Sequence, residues 1–174
     1  MTKRIAIIGP ESTGKSDLAK ALAEHYQTAL VPEYARDYLN NLNRPYDYED
    51  ILLIAKGQVK EEREMLENAN QFLFVDTEMI VLKIWCEVKY GKCHSWILNQ
   101  LKEQKFDLYL LTDIDLPWQP DPLREHPDKR SELFHLYLDE LKKRNLPFEI
   151  VNGFGQQRLL NATMHVENRL KIDQ

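Results

Sequence analysis

The chain has 174 residues, enough for one domain that buries roughly 70% of its unfolded surface and too few for several. Hydrophobic residues make up 43% and charged residues 29%, which excludes a long disordered chain. Twenty-three Lys and Arg against 28 Asp and Glu leave a net charge of −5, which argues against a sequence-independent nucleic-acid binder because that needs a dense basic face.

Met1-Thr2-Lys3-Arg4 leads into the apolar run Ile5–Ile8, which stops at Gly9 and Pro10 and is too short for a secretory signal. No apolar stretch approaches the roughly 20 residues needed to cross a bilayer. Cys86 and Cys93 are too few for a disulfide framework and read as free thiols in a reducing compartment. The expectation is a soluble cytoplasmic protein without membrane or nucleic-acid partners. Its oligomeric state is not legible.

Further short apolar runs follow at Ala29–Val31, Phe72–Val75, Leu108–Leu111 and Phe148–Val151. Most show little polar alternation, as strands of a parallel sheet buried on both faces do. Stretches with helical spacing lie between them. Their stripes are Leu18, Ala19, Leu22, Ala23 and Tyr26; Ile51, Leu52, Ala55, Val59 and Leu66; Ile80, Val81, Ile84, Trp85 and Val88; and Leu133, Leu136, Tyr137 and Leu141. A final helix is expected to bury Leu159, Leu160, Met164 and Leu170. This alternation predicts an α/β fold, with helices on both faces of about five parallel strands and ligands at the strand C-termini. Three prolines in Leu116–Pro122 exclude a helix or central strand, so this piece reads as an excursion from the core.

Gly9-Pro10-Glu11-Ser12-Thr13-Gly14-Lys15-Ser16 matches G-x-x-x-x-G-K-[ST] in full, with a strand before it and an amphipathic helix after it. Gly9 and Gly14 permit positive φ and close phosphate approach. The N–H groups of Glu11, Ser12 and Thr13 converge with those of the helix start on phosphate oxygens. Lys15 reaches the β- and γ-phosphates, and the Ser16 hydroxyl suits Mg²⁺. These residues point to ATP with Mg²⁺. Phe72–Asp76 is an apolar strand ending in a carboxylate, so Asp76 reads as a metal-site residue, with a plain helix cap as the alternative.

A GTPase would carry Asn-Lys-x-Asp and Asp-x-x-Gly, and neither is present; a motor module would need more chain. A small-molecule kinase remains. Glu33, Tyr34 and Arg36 follow the second strand at the expected ligand edge. Glu33 would orient or deprotonate an acceptor hydroxyl, Tyr34 would stack on a ring, and Arg36 would meet an anion; an ordinary helix start is the alternative. The segment at about 118–132 reads as a lid whose Arg124 and Arg130 neutralise charge on the transferred phosphoryl group, or as a solvated charged loop. Trp118 is the better stacking candidate and Trp85 the better core candidate. Asp113 and Asp115 read as acceptor neighbours or turn formers. The loop Asn152–Arg158, with Gln156, either wraps an adenine or starts a helix. His25, His94, His135 and His165 show no metal-ligand spacing.

GPESTGKS at Gly9–Ser16, PEYARD at Pro32–Asp37, Val75-Asp76-Thr77 before a long helix, and Asp121-Pro122-Leu123-Arg124 before a basic stretch together resemble the ribosylnicotinamide kinase domain of NadR-type proteins. The resemblance runs over essentially the whole chain. It implies a P-loop kinase-like three-layer α/β/α fold and transfer of the ATP γ-phosphate to the 5′-hydroxyl of nicotinamide riboside. It further implies that Lys15 and Ser16 serve ATP and Mg²⁺, and that Asp76 lies at the metal or the acceptor hydroxyl. Glu33, Tyr34 and Arg36 would border the nucleoside, with Arg124 and Arg130 acting from the lid. Longer members carry an adenylyltransferase domain, and some a DNA-binding module, before the kinase. Here the phosphate loop opens at Gly9, so the expectation is one kinase domain over residues 1–174, with its lid extended by Glu125-His126-Pro127. A kinase for another small hydroxyl substrate and a non-catalytic ATP sensor are the competing readings.

Overall fold

Five strands form a single parallel sheet: β1 (Lys3–Ile8), β2 (Ala29–Val31), β3 (Phe72–Asp76), β4 (Leu108–Thr112) and β5 (Phe148–Val151), in the order β2-β3-β1-β4-β5. The coordinates are a computed structural model describing residues 1–171, so the last three residues of the 1–174 assignment lie outside the described residues. All five expected strands are present.

Successive residues of β1 serve opposite faces. Ile5 and Ile7 pack with Leu18, Ala19 and Leu22 of α1 (Lys15–His25) and with Ala162 and Val166 of α7 (Gly155–Leu170). Ala6 and Ile8 pack on the other face with α3 (Tyr48–Leu66), α4 (Met79–Tyr90), α5 (Ser95–Glu103) and α6 (Arg130–Lys143). A short α2 (Tyr34–Asn40) follows β2. The result is the expected three-layer arrangement, with the helices covering both apolar faces.

Four helices depart from the sequence reading: Leu66 of α3 and Leu136 of α6, expected on buried stripes, are exposed, and α7 and α5 differ further. In α7 the buried side carries Arg158, Ala162, Thr163 and Val166, whereas Leu160 and Met164 are exposed. The two leucines at 159–160 admit two helical registers, and the smaller Ala162 sets the one that fits against α1. The sequence reading placed no helix at α5, whose nine residues carry only Ile97 and Leu101 as buried anchors.

The strand C-termini end along one edge. The loop after β1 becomes the first turn of α1, β2 runs into α2, and β3 turns through Thr77 into α4. This edge, at the sheet's change of direction between β1 and β3, is where an open α/β sheet holds ligands. Among the described residues, no helix is long and apolar enough to cross a membrane.

Candidate active site

The loop Gly9–Gly14 is a cradle closed on itself. Gly9 has φ 145°, and a side chain there would strike the Thr112 hydroxyl; Gly14 caps α1 at φ 73°. Thr13 Oγ1 donates to Pro10 O at 2.7 Å and accepts from Thr112 Oγ1 at 2.7 Å, joining the loop to the end of β4. Lys15 Nζ arches back to Pro10 O at 2.9 Å. The amides between Gly9 and the start of α1 are therefore held as a concave anion-binding nest at the positive end of an 11-residue helix.

A second brace comes from a residue that sequence reasoning did not assign. Arg158 is buried at the start of α7. Its guanidinium donates to Thr13 O at 2.8 Å, Asp113 O at 3.2 Å, Gly153 O at 2.8 Å and Asp115 Oδ1 at 2.7 Å. One side chain thus ties the phosphate loop to the loops after β4 and β5. Asp115 also accepts from Gly153 N, and Asp113 caps its own turn, so both serve the loops rather than an acceptor. The available signal was a charge on the apolar stripe, four residues before Ala162.

Asp76 closes β3, 2% exposed, with Ser16 Oγ donating to its Oδ2 at 2.5 Å. Burial pushes the carboxyl up to about 6, and Glu33 adds repulsion; Lys15, the Ser16 hydrogen bond and Arg36 oppose this. Of these groups, Ser16 touches Asp76 directly, while the three charged side chains act on it through their fields. Its second oxygen, Oδ1, is buried without a partner. An orphaned carboxylate oxygen beside a serine hydroxyl is the hard oxygen donor set that Mg²⁺ prefers, so the residues fit the implied metal.

A cavity of about 340 Å³ opens beside this centre. The phosphate loop forms one wall. Glu33, Arg36 and Leu39 form another, Val81, Ile84, Trp85 and Val88 of α4 form an apolar third, and Leu123 to His126 with Tyr137 complete it. Arg36 pairs with Asp121 at 3.0 Å, linking α2 to the lid.

The lid is docked on the loop. The Glu11 carboxylate accepts from the N–H groups of Glu125 and His126 at 3.0–3.1 Å, and Ser12 Oγ accepts from Gln119 N at 2.8 Å. Glu125 is latched in turn by Tyr46 Oη and Lys89 Nζ, both at 2.6 Å. Arg124 lines the cavity near Ser12 Oγ.

Several expected site residues sit differently. Trp118 does not line the cavity; its ring lies 5.9 Å from both the Arg124 and the Arg130 guanidinium carbons, because the proline-rich segment folds back over the phosphate loop. Trp85 takes the cavity wall instead, its Nε1 donating to Tyr46 Oη at 2.9 Å. Tyr34 is packed over Gly57 of α3 and is not a cavity wall. Arg130 is the first residue of α6 and donates to Ser12 O at 3.1 Å and Leu116 O at 2.8 Å, so it buttresses the loop from behind. Gln156 is exposed on the first turn of α7, away from the cavity. Glu11 meets lid amides with its side chain.

Residues 4–158 match the family described as AAA domain, AAA_28. The trifunctional NAD biosynthesis/regulator proteins NadR of Escherichia coli K12 and Salmonella typhimurium LT2 are each 31% identical over 152 residues, 84% of this chain and 37% of each protein. The chain thus spans little more than a third of the length of these curated relatives. Among solved structures, a NadR protein in complex with NR superposes with a TM-score of 0.78 at 21% identity, over 99% of this chain and 52% of that one. Thymidylate kinase from Ehrlichia chaffeensis superposes with a TM-score of 0.64 at 12% identity, over 97% and 98%. These likenesses show the fold that the chain shares with those proteins. With that fold, a complete phosphate loop and a match spanning residues 4–158, the chain belongs to the AAA_28 family of AAA domains.

Proposed function

We propose that this chain is an ATP-dependent kinase that transfers the γ-phosphoryl group to the 5′-hydroxyl of nicotinamide riboside, giving nicotinamide mononucleotide in NAD biosynthesis. The observation that carries the reading is the composite cavity. The phosphate cradle, the Glu33 carboxylate with Arg36, and an apolar wall with the Trp85 indole line one space. Such a lining suits phosphates at its loop and a planar-ringed nucleoside at its apolar wall. The relatives named NadR, and the related structure described as a complex with NR, support the choice of nucleoside. We assign residues 1–174 to one kinase domain with its lid at about 118–132, acting in the cytoplasm on a small molecule.

Each residue then has a task. The loop amides and Lys15 hold the donor phosphates in line with the acceptor. Ser16 and Asp76 would hold Mg²⁺, which neutralises charge on the phosphates when bound. Glu33 orients the acceptor hydroxyl, and the positioning demanded by a loose phosphoryl-transfer transition state makes strong base catalysis unnecessary. Arg124 faces the phosphates from the lid, and lid closure excludes the water that would otherwise hydrolyse ATP.

The test is ADP release by the purified chain with ATP and Mg²⁺ against a panel of nucleosides. The expected result is fastest release with nicotinamide riboside, one ADP per mononucleotide formed. Faster release with a deoxynucleoside or a vitamin-like alcohol overturns the substrate assignment. ATP binding with no acceptor-dependent release would make the chain a sensor.

A further inference from the structure

The β2–β3 ladder ends where Val31 pairs with Val75. Beyond it Pro32 has no N–H to offer, Glu33 enters α2, and Thr77 turns at φ 75° toward α4. The two strand ends therefore diverge at the point where they carry Glu33 and Asp76. Gln58 of α3, 1% exposed, bridges this gap. Its Oε1 accepts from Tyr34 N at 2.9 Å, and its Nε2 donates to Pro32 O at 3.2 Å and to Asp76 O at 3.3 Å.

Each of those backbone groups belongs to Asp76 or adjoins Glu33. One is a donor and two are acceptors, which fixes the orientation of the amide and requires a side chain that both accepts and donates. Tyr34 N is also one of the N–H groups that a helix start leaves without an internal partner. Gln58 sits on the apolar face of α3 between Ile54, Ala55 and Val59, where a hydrophobic residue is the ordinary occupant. A buried amide is costly there unless it is bonded, and these bonds run to the two strand ends.

We propose that Gln58 is a positioning residue that sets the separation of Glu33 and Asp76 by standing in for the missing rung between β2 and β3. The inference rests on the kinase reading above. Gln58 does not line the cavity, so its effect travels through the backbone that carries the two carboxylates.

Three proteins test it: the unsubstituted chain, Gln58→Met, which keeps the volume but removes every bond, and Gln58→Glu, which keeps the acceptor for Tyr34 N and loses the donor. Gln58→Met is expected to lower kcat on the order of 10–100-fold, since misplacement by about 1 Å costs that much. Its KM for ATP should stay within about threefold, because the phosphate loop is held by Thr112 and Arg158 instead. Hydrogen exchange at the Tyr34 amide should accelerate in Gln58→Met and stay slow in Gln58→Glu. A Gln58→Met protein with unchanged kcat, or with kcat loss matched by an equal rise in ATP KM, overturns the inference. An unsubstituted chain that phosphorylates no nucleoside overturns the kinase reading instead. The brace is then decided by exchange alone, and slow exchange at Tyr34 in Gln58→Met overturns it.

Discussion

The Ser16 hydroxyl donates to Asp76 Oδ2 across 2.5 Å, joining the first turn of α1 to the last residue of β3 and leaving Asp76 Oδ1 buried with no partner. A buried carboxylate held in this way opposes folding and earns its place only through function. Asp76→Asn removes the charge and keeps the shape. Turnover is expected to fall on the order of 10²–10³-fold, the loss typical of removing one electrostatic contact to the transition state. The unfolding temperature should stay equal or rise, because the desolvation of a carboxylate is relieved. Half-saturation in Mg²⁺ should move to higher concentration. Kinetics with a Mg²⁺ titration and a thermal melt check this; parallel loss of activity and stability would show a structural role instead.

The lid rests on two carboxylates of different kinds. Glu11 receives its backbone amides, and Glu125 reaches out to Tyr46 and Lys89. The Lys89–Glu125 pair is about one-third exposed, so the latch is worth about 1 kcal/mol, or roughly fivefold in the open fraction of the lid. Glu125→Ala should therefore speed tryptic cleavage after Arg124 and Lys129 about fivefold without shifting global unfolding. An ATP analogue that recruits Arg124 should restore most of the protection. Cleavage unaffected by the substitution rules out the latch.

These features differ in how far the chain discloses them. Ile5–Ile8 and Phe72–Val75 read as strands because both faces of a parallel sheet are dry, a local and unambiguous signal. The phosphate loop is equally local. Trp118 ranks above Trp85 as a stacking candidate in the sequence and the structure reverses that order, since the cavity continues the core and its wall carries the same apolar spacing on α4 as a packed helix face does. The adjacent leucines 159 and 160 hid which side of α7 faces the sheet. Apart from Gly153 beside Arg158, the partners through which Gln58 and Arg158 matter lie 18 to 145 residues away, and no local pattern marks such partners. A polar residue on an apolar stripe was the trace that both left.

Gly57 lies in the interior of α3, where glycine weakens a helix by about 1 kcal/mol relative to alanine. The Tyr34 ring occupies the space that a Cβ would need. Gly57→Ala should thus destabilise the protein by about 1–2 kcal/mol despite the better helix former, the overpacking cost exceeding the propensity gain. In a Tyr34→Ala background the same change should become stabilising. Chemical denaturation of the four proteins of this cycle gives the coupling, and additive effects would mean that the ring moves aside freely.

Asp50 ties α2 to α3. Its carboxylate accepts from Arg44 at 2.6 and 2.8 Å, from Asp47 N at 2.7 Å and from Tyr38 Oη at 2.8 Å, while Asp47 completes the capping box of α3. The Arg44 hydrogen bonds hold the Asp50 carboxyl well below the usual carboxylate range against the opposing effect of burial, with the Asp47 amide and the Tyr38 hydroxyl helping. A carboxyl lowered by folding adds stability above its unfolded value of about 3.9 and loses that contribution as the pH falls below it. Asp50→Asn should cost about 1–2 kcal/mol at pH 7, through the weakened cap and lost charge-assisted bonds. Its deficit relative to the unsubstituted protein should shrink steadily from about pH 5 to pH 2. Because Tyr38 carries α2, whose N-cap is Glu33, the variant should also bind the acceptor less tightly at neutral pH. Urea unfolding at stepped pH measures the gap, and a gap that stays constant down to pH 2 would mean that Asp50 acts through shape rather than charge.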